Sequence, residues 1–216
     1  MTTKEDSPGP PPPPTLVFTS DVSVSSYAVS VETYLSAHPE FDALAVGAIV
    51  FSTTPPANPE ARDHVLLIQR AAHDSMPSRW EVPGGGCDLD DESILHGLGR
   101  ELWEESGLVL TAVITQVGDG RVFFTRRGQR VCKYTFEAEV QAQDGVVPGV
   151  TLDPKEHQAY LWATEDECRA RRKGDVELKF TTKDEEAAIM EAFRLRRVRR
   201  DAVAKAEGGQ VQEQQA

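Results

Sequence analysis

Apolar and polar positions alternate in blocks along this chain, and the blocks predict interleaved strands and helices. Leu16-Val17-Phe18 reads as a short strand, and Tyr27, Val31, Tyr34 and Leu35 recur at helical spacing between Ser25 and Ala37. The near-continuous apolar run from Ala43 to Phe51 reads as a buried strand. Pro55, Pro56 and Pro59 mark a loop, and Val65-Leu66-Leu67-Ile68 forms a second strand ending at Gln69-Arg70. Trp80-Glu81-Val82 leads into Pro83 and three glycines, and a helix is expected over about 91–106. Strands are expected at Val109–Val117, Arg121–Thr125 and Val131–Val140, the last two as a hairpin around Arg126-Arg127-Gly128-Gln129. Tyr160-Leu161-Trp162 is a final strand, and Thr164–Arg172 and Lys183 to about Ala206 read as helices. Helices interleaved with strands around one core predict an α/β architecture.

The ends differ from this core. Residues 1–14 close on a proline run with nothing apolar to bury, so they are expected to be a disordered, extended tail. A P-x-x-P pattern there offers docking to an SH3-type module as an alternative role. Residues 15–195 are expected to form one domain, with 15–42 as an N-terminal extension, and 196–216 a basic helix end and disordered tail.

Composition narrows the function classes. Of 216 residues, 39% are hydrophobic, enough for a sizeable core. The net charge of −12 argues against a nucleic-acid coat or an anionic-membrane binder. An anionic substrate would therefore need a bound cation. No apolar run approaches the ~18 residues of a membrane span. The polar N-terminus is not expected to act as a signal peptide, and three scattered cysteines suggest no disulfide framework or metal pair. A cytoplasmic location is expected. The charge is also uneven: residues 194–205 carry +5, leaving −17 on the rest. The run Arg194–Arg200 is expected to pair with the acidic body, with nucleic-acid binding or a nuclear address as the alternative.

The chemistry concentrates between Gly86 and Leu108. Asp90 or Asp91 can cap the helix, Ile94, Leu95, Leu98 and Leu102 form an apolar stripe, and Gly107 sits where a left-handed cap belongs. Glu101, Glu104 and Glu105 share one face of the last turn, at the negative end of the helix dipole. Glu105 lies only about 20° around the helix from Leu98, so it borders the buried stripe. Arg100 cannot neutralise all three, whereas a hard divalent ion can. A solvated acidic helix end is the bland alternative. Pro83-Gly84-Gly85-Gly86 just upstream argues against it, because that loop brings backbone close to a ligand.

This segment resembles the Nudix hydrolase family, whose pattern is G-x5-E-x7-R-E-U-x-E-E-x-G-U with U bulky and aliphatic. Gly86, Glu92, Arg100, Glu101, Leu102, Glu104, Glu105, Gly107 and Leu108 match every specified position, and the resemblance extends over about 43–195. Gly97 and Gly99 fall inside the helix where alanine is common in the family, and close packing against a neighbour would explain them.

The resemblance implies an α/β/α sandwich around a mixed sheet. It also implies hydrolysis of a nucleoside diphosphate linked to another moiety: a modified nucleoside triphosphate, an ADP-ribose-like compound or a dinucleoside polyphosphate. Mg2+ is the expected cofactor, with Mn2+ as the alternative. Glu101, Glu104 and Glu105 are the expected metal ligands, joined by the carbonyl of Gly85 or Gly86. Glu101 is alternatively the general base. Arg100 and Glu92 are expected to orient the loop and carboxylates. Glu156, in the loop before the last strand, is a candidate further ligand or base, or simply a solvated acid. His157 beside it is a candidate base, or a surface histidine.

Base recognition draws on Phe51, Trp80, Phe123, Phe124, Tyr134 and Trp162, each better read as core packing; Arg70 and Arg126-Arg127 are candidate phosphate contacts. A nucleotide-sensing module that does not cleave is the competing class, but such proteins usually lose box carboxylates and none is missing here. The sequence leaves the substrate and the oligomeric state open, a homodimer included.

Overall fold

The computed structural model describes residues 14–53, 62–142 and 149–213, with side chains through 205. Most of the proline-rich segment and the loop carrying Pro55, Pro56 and Pro59 lie outside the described residues, as does the extreme C-terminus. The chain runs β1 (Thr19–Ser20), a 3-10 turn (Val22–Tyr27), α1 (Val31–Ala37), β2 (Ala43–Thr53), β3 (Asp63–Arg70), β4 (Trp80–Glu81) and α2 (Ile94–Ser106). It continues through β5 (Leu110–Phe124), β6 (Arg130–Val140), β7 (His157–Thr164), α3 (Glu165–Ala170), β8 (Arg172–Lys173), β9 (Val176–Glu177) and α4 (Lys183–Glu213).

Seven strands form one mixed sheet in the order β1-β5-β6-β2-β3-β4, with β7 also paired to β3. β1/β5 and β2/β6 are parallel, and the other pairs are antiparallel. Side-chain alternation sorts the apolar runs into two cores. Leu44, Val46, Ala48 and Val50 of β2, with Leu66 and Ile68 of β3, pack under α1 and α2. Ile49, Val65 and Leu67 face the opposite way and pack with Ile189, Ala192 and Phe193 of α4. Helices thus cover both faces, giving the expected sandwich. Runs that looked continuous in sequence are continuous because each strand is buried on both sides.

β2 divides its second edge. Phe51–Thr53 pair with β3, while the first half pairs with the loop between β4 and α2. In that loop, Val46 N–H donates to the Gly85 carbonyl (2.9 Å), Ala48 N–H to Pro83 (2.8 Å), and Cys87 N–H to the Leu44 carbonyl (2.9 Å).

The strand boundaries differ from expectation in two places. Leu16-Val17-Phe18 precedes β1 rather than forming it, and β5 is one strand through both expected segments. Register shifts between Val117 and Arg121 absorb Gly118 and Gly120, so the strand bends without ending. α4 continues past its expected end, its backbone helical to Glu213. Its basic run does pair with the body: Arg196 and Arg199 both reach the buried Glu137, Arg200 reaches Asp63, and Arg197 reaches Glu165. No helix among the described residues is long and apolar enough to cross a membrane.

Candidate active site

The carboxylates rise from the last turn of α2. Ile94, Leu95, Leu98 and Leu102 are each no more than 1% exposed, which fixes the rotation of the helix. Ser93 caps its start by accepting from the His96 N–H, and Gly107 ends it with φ +69° as a left-handed cap. Asp90 and Asp91 are therefore not the cap. Asp91 folds back instead to hold Arg100, at 2.9 and 3.0 Å. Gly97 permits this, since a Cβ there would lie 2.6 Å from the Asp91 carboxylate. A Cβ at Gly99 would lie 2.9 Å from Leu16, the close packing expected of it.

Arg100 organises the acidic face. Nη1 donates to Glu101 Oε1 at 2.9 Å and to Glu104 Oε2 at 3.0 Å, and Nη2 donates to the Gly86 carbonyl at 2.9 Å. Glu92 does not join this array. It is exposed and faces His96 at 3.4 Å.

Glu105 is only 5% exposed, and Arg100 does not reach it. Its Oε2 accepts from the Gly84 N–H at 2.5 Å. Burial drives its carboxyl well above the ordinary value, against that hydrogen bond, and Glu81, Glu101 and Glu156 add repulsion. Burial likewise raises Glu101, Arg100 notwithstanding. Gly84 takes φ +151° where a side chain would strike the β2 backbone, 2.2 Å from the Val46 carbonyl. A Cβ on Gly85 would fall 2.4 Å from Glu101 Oε2. The glycines thus let the loop lie against both β2 and the carboxylates. The Gly85 and Gly86 carbonyls each accept one protein hydrogen bond, which leaves each a second lone pair.

The loop before β7 completes the group. Ala71 N–H donates to the Glu156 carbonyl at 2.8 Å, tying this loop to the end of β3. Glu156 is exposed, and its carboxylate, that of Glu105 and a His157 ring nitrogen lie within 4.8 Å of one another. His157 is no surface histidine: it is 2% exposed, because it pairs with Arg70 as β7 begins. Arg70 is held by Glu81 and Asp74, both at 2.5 Å, and is not presented to a phosphate.

Sequence reasoning also missed Lys133, which lies beneath the site on β6. It donates to Glu185 at 3.2 Å, whose other oxygen accepts from the Val82 N–H at 3.1 Å. Burial alone would lower Lys133, but Glu185, Glu81 and Glu105 outweigh it and hold it raised. A lysine amid the apolar residues of 131–140 was the available signal. Trp80 and Tyr134 are buried, Phe51 and Trp162 pack against the two cores, and Phe124 is exposed beside the Arg126-Arg127 turn.

The donor set fits a divalent cation. Glu105 and Glu156 gather with His157, Arg100 holds Glu101 and Glu104 on the same helix turn, and no Arg or Lys among the described residues pairs with the most buried of them, Glu105.

Known proteins share this fold and this box. The human m7GpppN-mRNA hydrolase NUDT17 is 53% identical over 47 residues, 21% of this chain and 14% of that protein, so the match spans a small part of its length. An Ap4A hydrolase binary complex from C. elegans superposes with TM-score 0.52 at 15% identity, covering 71% of this chain and 96% of that one. The NUDIX domain of Shewanella oneidensis NrtR, complexed with ADP ribose, superposes with TM-score 0.51 at 23% identity, covering 76% and 97%. The sequence model of the NUDIX domain matches residues 43–184, and with the complete box running from the glycine loop through α2 the chain belongs to the Nudix hydrolase family.

Proposed function

We propose that this chain is a metal-dependent pyrophosphohydrolase that cleaves the diphosphate linkage of a nucleoside diphosphate joined to a second moiety. The observation that carries this reading is the buried Glu105, set among Glu81, Glu101 and Glu156 under a glycine loop and short of a cation. Mg2+ is the proposed ion, with Mn2+ as the alternative, held by Glu101, Glu104 and Glu105 and by the Gly85 or Gly86 carbonyl. When bound, the ion would neutralise diphosphate charge and acidify the attacking water.

The protein's part is positioning and charge placement. The Gly84 N–H fixes one oxygen of Glu105 and leaves the other facing the site. Arg100 holds Glu101 and Glu104 in one orientation and ties them to the loop through Gly86. Glu101 and Glu156 are the two proposed bases for taking the proton from water.

The relatives act on or bind a capped mRNA, Ap4A and ADP ribose by their names, which supports a diphosphate-linked nucleoside and leaves the second moiety open. Incubation with ADP-ribose, Ap4A, capped RNA and modified nucleoside triphosphates, with Mg2+ or Mn2+, is expected to release a nucleotide product from at least one. Nucleotide binding with no turnover of any would instead support the sensing module.

A further inference from the structure

We infer that His157 is a nitrogen ligand of the metal centre, sharing one ion with Glu105 and Glu156; this rests on the metal-dependent reading above. His157 has a side chain 1% exposed, and neither ring nitrogen has a hydrogen-bond partner among the described residues. A buried polar group left unpaired costs about 1–3 kcal/mol, so an imidazole with two such atoms needs an explanation.

Its surroundings supply one. Nε2 lies 3.6 Å from Glu81 Oε1 and 3.8 Å from Glu105 Oε1, both beyond hydrogen-bond reach. Glu81 Oε1 already accepts from Arg70, whereas Glu105 is bonded through its other oxygen to Gly84. The remaining neighbour, Glu156, completes a three-ligand group with one exposed member, which leaves a side open to solvent.

The backbone that carries the ring is also anchored. The His157 N–H donates to the Asp153 carbonyl at 2.9 Å, and the residue enters the sheet opposite Arg70. An imidazole nitrogen 3.8 Å from a carboxylate oxygen, with a second carboxylate beside them, sets a nitrogen donor and oxygen donors where one ion can bind them together. Imidazole favours transition metals, whereas Mg2+ favours oxygen alone. The site is therefore built to prefer Mn2+ over Mg2+ more strongly than box carboxylates would.

Pulsed electron paramagnetic resonance of Mn2+ bound to the full chain tests this without turnover. Echo modulation from one imidazole 14N is expected. Labelling histidine with 15N should replace it, and His157→Gln should remove it. That variant should also weaken Mn2+ binding at least about tenfold, and Mg2+ binding less. Glu156→Gln should weaken both ions and keep the nitrogen signal. Bound Mn2+ without nitrogen modulation, or modulation that survives in a folded His157→Gln, overturns the ligand and leaves the pyrophosphohydrolase reading standing. Absence of saturable Mn2+ binding overturns both. Should His157→Gln fail to fold, the labelled wild-type chain still decides, since an unchanged spectrum refutes an imidazole ligand.

Discussion

Replacing Gly85 by alanine should separate catalysis from folding. The added methyl would lie 2.4 Å from Glu101 Oε2, 2.7 Å from its carboxyl carbon and 2.9 Å from Oε1. Ordinary contact begins near 3.4 Å, so the carboxylate must retreat by about 1 Å. The group that yields is the tip of a flexible side chain, and Gly85 is not among the positive-φ residues, so the backbone tolerates alanine. Folding should lose no more than about 1 kcal/mol. Activity should lose far more, because a 1 Å misplacement at a reacting centre costs on the order of 100-fold, or about 2.7 kcal/mol. The retreat also strains the 2.9 Å bond from Arg100 to Glu101. Turnover at saturating metal, measured beside urea unfolding, reads both effects. A methyl at Gly86 would meet nothing within 4 Å, so Gly86→Ala is expected to lose much less. Turnover of Gly85→Ala within about threefold of wild type would refute the claim that the Glu101 position matters.

Other expectations follow from the same geometry. Glu105→Gln should stabilise the metal-free chain and abolish most activity, because it removes a carboxyl whose ionisation burial opposes but keeps an acceptor for Gly84; urea midpoints in chelator and turnover with metal would check it. Since Glu105 is raised in the fold, the folded metal-free chain keeps a proton that the unfolded chain has lost. Its stability should fall as pH rises from the ordinary carboxylate value through the raised one, and Glu105→Gln should flatten that slope in urea titrations across pH. Lys133→Met should destabilise by about 3–5 kcal/mol by stranding buried Glu185, and adding Glu185→Gln should recover part of this in a double-mutant cycle. Arg100→Lys keeps the charge but not the fork that reaches Asp91, Glu101, Glu104 and Gly86, so kcat should drop about 10–100-fold with little change in melting temperature.

What the sequence revealed depended on how local each cause was. The α2 carboxylates were legible because i, i+3, i+4 spacing and the Leu98 stripe are properties of one helix. The helix start was less so: Asp90, Asp91 and Ser93 are all residue types that cap helices, and Asp91 was claimed by Arg100 nine positions away. His157 was misread as a surface residue because its burial depends on pairing with Arg70, far off in the chain. The break expected at Gly118–Gly120 is a bend because β6 continues alongside it. The basic run was read correctly as a partner of the acidic body, although nothing in it named Glu137, Asp63 or Glu165.

The glycine loop beside the box carboxylates also closes a sheet edge. From Leu44 to Ala48, β2 is an apolar strand with β6 on one side only, and the segment Pro83–Cys87 supplies the hydrogen-bond partners on the other. Bare strand edges of this kind recruit other chains. Damage that frees this loop therefore does more than silence an enzyme. It would uncover a template for self-association, so the residues proposed to serve turnover would guard solubility as well.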